Sequence, residues 1–170
     1  MPTLNSPSPQ NTGPAQGFQQ KEKKKDFPAI PEGLYDAEVV RMEYRSKEDA
    51  EAQGKTWPAW KKTTQEIAIG FKINRGEFSN RWFWVDAPFA SLDSDEGTKL
   101  RIILQELIGM DSLPESFVFN TDELDEFIGF DCRIRVSYYW SNKANEFRNS
   151  VREVLRPAAQ HEYVDADGVF

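Results

Sequence analysis

One cysteine and one histidine in 170 residues leave little for a site built on metal or nucleophile chemistry. Cys132 alone excludes an internal disulfide and leaves a cysteine-ligated zinc site short of ligands. His161 falls outside the stretch that reads as folded, so a histidine-based catalytic or metal site has almost nothing to build on. No glycine-rich phosphate loop and no nucleophile elbow is present. Acidic clusters at Asp93, Asp95 and Glu96 and at Asp122, Glu123 and Asp125 sit near helix starts, where the helix dipole favours them. An enzyme is not expected, and neither is a cofactor. No apolar run approaches the roughly 20 residues of a membrane span. The first residues also lack the hydrophobic segment of a secretory signal. A soluble, cytoplasmic protein without a membrane partner is therefore expected.

Large apolar residues are scarce at both ends. Residues 1–26 are rich in Pro, Ser, Asn, Gln and Gly and hold only Leu4 and Phe18 as sizeable apolar groups beyond the initial Met1. Such a stretch cannot offset the entropy of ordering, and it reads as a disordered arm whose end, 21–25, is basic. From Pro157 the apolar periodicity stops, and 157–170 reads as a flexible acidic tail. One domain is expected between them, over 27–156, and a chain that is 39% hydrophobic can fill its core.

Within that domain the apolar residues alternate as strands require. A first strand over 34–44 sets Tyr35, Ala37 and Val39 on one face, then changes over to Val40, Met42 and Tyr44, which marks a bulge or sharp coil. The polar stretch 45–63 is long enough for a binding loop with a short helix over 47–53. Strand two sets Ile67, Ile69, Phe71 and Ile73 against an outward Thr64, Glu66, Ala68, Gly70 and Lys72. A turn at Asn74, Arg75 and Gly76 leads to strand three over 78–86, with Phe83 and Val85 inward and Trp82 and Trp84 outward. A helix is expected over 96–108, with Leu100, Ile103, Leu104, Leu107 and Ile108 as its stripe and Gly109 as its stop. Thr121 reads as the cap of a shorter helix over 122–127. Strand four alternates Cys132, Ile134, Val136, Tyr138 and Trp140 with Arg133, Arg135, Ser137 and Tyr139, and after a turn over 141–146 strand five covers 147–155. The fold class is mostly β. Three strands, a helix and two strands is the order of a five-stranded OB-fold. This Greek-key barrel binds oligonucleotides over strands two and three and the loops joining one to two and four to five.

All five tryptophans map to that binding region, each with a cation close by. Trp57 and Trp60, followed by Lys61 and Lys62, fall in the first loop. Trp82 and Trp84 fall on strand three, and Trp140 falls where strand four enters the last loop, near Lys143. Flat rings beside cations are what stacks unpaired bases and tracks a phosphate backbone. Arg133 and Arg135 share a strand face with Tyr139 and suit phosphate contact or stacking. Arg148 and Arg152 share one parity on strand five and extend the candidate set. The small Ala68 and Gly70 would let a base approach the sheet. The formal net charge of −7 argues the other way, since nucleic-acid binders are usually basic. Segregated charge can still give an acidic protein a positive face.

In the stretches PAIPEGLYDAEV (28–39), IGFDCRIRV (128–136) and SVREVL (150–155), the layout resembles bacterial and bacteriophage OB-fold single-stranded DNA-binding proteins. The resemblance implies coating and protection of single-stranded DNA in DNA replication, recombination and repair, in a bacterial or phage-infected cell. The acidic end of the chain is similar to the tip by which such proteins recruit replication and recombination partners. The resemblance therefore gives Asp165, Asp167, Val169 and Phe170 a partner-binding role. Here the acids are spaced and Gly168-Val169 precedes the Phe. A single-stranded RNA binder with the same surface stays open, as does an acidic interaction module or DNA mimic. The mimic would place acids on the strand two and three face, where Glu66 sits. Oligomeric state is left open.

Overall fold

The computed structural model describes residues 28–158. The arm over 1–26, His161 and the tip residues Asp165, Asp167, Val169 and Phe170 lie outside the described residues. The elements run β1 (Gly33–Ser46), α1 (Lys47–Ala52), β2 (Gln65–Ile73), β3 (Trp82–Pro88), α2 (Thr98–Ile108), a 3-10 turn (Leu124–Phe127), β4 (Asp131–Ser141) and β5 (Glu146–Leu155). Internal contacts divide the described chain into two compact units, residues 28–30 with 139–148, and residues 31–138 with 149–158.

The strands form one antiparallel sheet in the order β3-β2-β1-β4-β5. Three consecutive strands followed by a fourth that returns beside the first is Greek-key order. Among the described residues the sheet is open: β3 and β5 are edges, and no ladder closes it into the expected barrel. A groove of about 720 Å³ lies along these edges, walled by Val85 of β3, by Val151, Val154 and Leu155 of β5, and by Ile102 and Ile103 of α2.

β1 bends where its apolar parity changes. Its pairing with β2 slips between Val39 and Arg41, a bulge that lets Ala37 and Val39 and then Met42 all face the core. Before the bulge β1 pairs with β4, and after it only with β2. At the bend the Val39 N–H donates to the Phe130 carbonyl (2.9 Å) and the Gly129 N–H donates to the Val39 carbonyl (2.8 Å). The core is then Val39, Ile67, Ile69, Phe71, Ile73, Val85, Ile134 and Val136 under the buried stripe Leu100, Ile103, Leu104 and Leu107 of α2. Each such side chain contributes about 1.5–3 kcal/mol on leaving water.

Three departures from the sequence reading have a local backbone cause. β3 starts at Trp82, not at 78, because Gly76 and Asn80 take left-handed backbone (φ 88° and 76°) and the chain turns twice before it can extend. α2 starts at Thr98 behind Gly97, where a Cβ would stand 2.1 Å from the Ser91 carbonyl oxygen. Its end is as expected, with Gly109 left-handed (φ 84°) and its N–H on the Gln105 carbonyl. The short helix over 122–127 is only a 3-10 turn over Leu124–Phe127 with no side-chain cap, so Thr121 does not cap it; just before it Asn120 accepts from the Asp122 N–H (2.9 Å) in a local turn.

Candidate nucleic-acid interface

β2 is buried on both faces, against expectation. Its outward residues Ala68 and Gly70 are covered and Glu66 is 4% exposed. The register explains this. Gly70 stands beside Trp84 on one side and Arg41 on the other, Ala68 between Asp86 and Glu43, and Lys72 between Trp82 and Glu38. The ring of Trp84 leans over Gly70, so that an added Cβ would meet it at 3.4 Å. The small residues therefore seat the protein's own indole and do not form a floor for a base. Trp82 and Trp84 themselves stay 46% and 44% exposed. Their ring centroids are 6.5 Å apart with planes tilted 46°, too far from parallel to stack on each other. The Arg45 guanidinium lies 5.1 Å from the Trp84 centroid, in cation–π range.

Lys61 ties the β1–β2 loop down onto this face. Its ammonium donates to both carboxylate oxygens of Glu66 (2.7 and 2.9 Å), lies 3.9 Å from Asp86, and sits 4.6 Å from the Trp57 ring centroid and 5.7 Å from that of Trp60. This accounts for the buried Glu66 and takes Lys61 out of the set of cations open to a phosphate. Trp57 is half-buried, its indole N–H donating to the Thr63 carbonyl (3.1 Å), whereas Trp60 is 77% exposed and Lys62 is exposed. α1 begins this loop, with the Ser46 hydroxyl accepting from the Asp49 N–H.

The carboxylates on the face are matched. Glu43 sits between Arg41 and Arg45, Glu66 and Asp86 share Lys61, and Glu38 accepts from the Asn74 amide (3.3 Å). Lys47, Lys55, Lys62 and Lys72 have no side-chain partner among the described residues. Arg41, Arg45, Lys47, Lys55 and Lys72 were absent from the sequence-based set. The alternation of Arg41 and Arg45 with Met42 and Tyr44 after the bulge was the signal for the first two.

The other expected residues are distributed as follows. Arg133 donates to the Arg156 carbonyl (2.9 Å) and Arg135 to Glu153 (2.6 Å), so both are engaged within the protein. Arg152 alternates with Glu153 and shares parity with the buried Val154. It therefore faces away from Arg135 and lines the groove beside α2, and does not extend the arginine stripe. In the hairpin unit, Tyr139 and Trp140 are exposed and Trp140 packs edge-on against Phe147 (5.0 Å between centroids). Arg148 pairs with Glu146 (3.3 Å), and Lys143 lies in the turn.

Burial, reinforced by Asp131, Asp36 and Glu38, pushes the Cys132 thiol up to about 12, so it is held as an inert core group. Among the described residues no cluster of three or more His, Cys, Asp or Glu is placed to hold a metal ion, and no helix is long and apolar enough to cross a membrane. No protein-family model matches the chain, and no curated protein matches its sequence.

Proposed function

We propose that the chain is a single-stranded DNA-binding protein of OB type that uses the outer face of β2 and β3 with the β1–β2 loop. The observation that carries this reading is the non-stacked Trp82–Trp84 pair, both rings part-exposed on the outer face, with Arg45 against Trp84 and Trp60 projecting from the loop. The Greek-key order β3-β2-β1-β4 supports the OB assignment, with the β3–β5 seam left open. Stacking contributes about 1–3 kcal/mol per base and tolerates any sequence, which suits coating of strands exposed in replication, recombination and repair. The tail 157–170 then serves recruitment of partner proteins, in the cytoplasm of a bacterial or phage-infected cell. The acids on the face are each matched by a donor, which favours this reading over a DNA mimic.

Trp fluorescence tests it. Oligo-dT should quench the emission at low salt, and duplex DNA should do so far less. The four uncommitted lysines of this unit, at about 0.7 each, predict a slope near −3 in a plot of log affinity against log salt. Trp60→Ala and Trp84→Ala should each cost about 1–3 kcal/mol of binding. Absence of quenching at low salt rejects the assignment, and preference for oligo-rU over oligo-dT moves it to RNA.

A further inference from the structure

The loop that carries Trp57 also encloses a recess of about 360 Å³ that base stacking on β3 does not use. The residues lining it include Lys47, Lys55 and Lys62, with Trp57 and Thr56. Lys61 also lines it but is neutralised by Glu66, and Glu51 is the one carboxylate on the wall. Three unpartnered lysines against one glutamate leave an excess of two positive charges among the residues that line one concavity. Like charges gathered this way repel, and a chain of net charge −7 has many carboxylates that could have been set among them.

We propose that this recess receives the terminal phosphate of a nucleic-acid strand, with the end nucleoside laid against Trp57. The inference deepens the single-strand reading and rests on it. An internal phosphodiester carries one negative charge, whereas a terminal monoester carries nearly two near pH 7, which matches the excess on the wall. A terminal group also projects beyond the chain and enters a hollow that a continuous backbone passes over. Trp57 suits that position. It is half-buried and carries Lys61 4.6 Å from its ring centroid, so it offers a wall for one last base and not a platform for a run of them.

The test compares oligo-dT bearing a 5′-phosphate, a 3′-phosphate or hydroxyl ends, on the full chain and on Lys47→Ala/Lys55→Ala. Both substituted side chains are exposed and unpartnered, so the fold should hold. One phosphorylated end should bind about tenfold tighter than the hydroxyl end, the worth of one charge-assisted hydrogen bond. The double variant should lose that increment on top of a smaller loss, equal for all three strands, from removing two of the four lysines that face phosphate. The increment should also shrink from pH 7 to pH 5.5, as the monoester takes up its second proton. Whichever phosphorylated end gains affinity identifies the polarity. Equal binding of all three strands, or an increment that survives in the variant, overturns the recess while leaving the β2–β3 face in place. Failure of every strand to bind overturns both.

Discussion

At Gly70 any side chain larger than hydrogen meets the Trp84 ring at 3.4 Å and the Arg41 Cβ at 3.3 Å. Gly70→Val should lift the indole off the sheet, cost about 1–3 kcal/mol through overpacking, and shift Trp emission to the red. Urea unfolding and a fluorescence spectrum measure both. A variant with unchanged stability and emission would show that the ring does not depend on this contact. The same residue marks a limit of sequence reading. Its smallness and outward parity are visible in the alternation of 64–72. That Gly70 stands beside Trp84 depends on the register between two strands, which no local pattern contains. Trp82 and Trp84 were legible as exposed rings because Phe83 and Val85 already serve the core side of β3, and Trp60 because two lysines follow it in a loop that the strand core does not need. Lys61 was not legible as a buried tie, since its partner Glu66 lies across a loop whose course the sequence does not specify.

The β1–β2 loop shows how one contact organises an element. Lys61, largely buried, is bonded to a buried carboxylate and lies close to two indoles. Lys61→Ala strands Glu66 without a counter-charge and should cost about 3 kcal/mol, the low end for breaking a buried pair. Lys61→Met with Glu66→Gln should recover much of that loss, because no charge is then left alone. Thermal melts of the three proteins check this. If the single variant melts like the parent, the loop is held by something else. Elements with a strong period were readable, namely the bulged β1, β2, β4 and the α2 stripe with its Gly109 stop. Where backbone conformation outweighs the apolar pattern, the reading fails. Asn80 in left-handed backbone delays β3, and the weak stretch before β4 yields only one 3-10 turn.

For the whole molecule, the end of β5 is pinned to α2. Arg156 bonds the Glu106 carboxylate through its side chain (2.8 and 3.2 Å) and through its backbone N–H (2.9 Å), and it also pairs with Asp111. The Arg156 side-chain bond holds the Glu106 carboxyl below its ordinary 4.5, against the opposing effect of burial. Glu106 therefore takes up a proton more readily unfolded than folded. Its contribution is complete above about pH 4.5 and disappears as pH falls through the lower folded value. Glu106→Gln should lower the urea midpoint more at pH 7 than at pH 3. An equal loss at both values would assign the effect to shape and not to charge. The strand order was legible in outline, since three strands, a helix and two strands permit few arrangements. Closure was not, because it depends on whether β3 and β5 approach each other, and no residue pattern encodes that distance.

That missing ladder has a consequence for how the protein opens. β2 is flanked by a hydrogen-bonded neighbour on each side over 66–72 and is buried above and below, while β3 and β5 each carry one row of amides that no strand among the described residues receives. In deuterated buffer the amides along those two rims should exchange first and those of β2 last, so that loss of structure spreads from the seam inward.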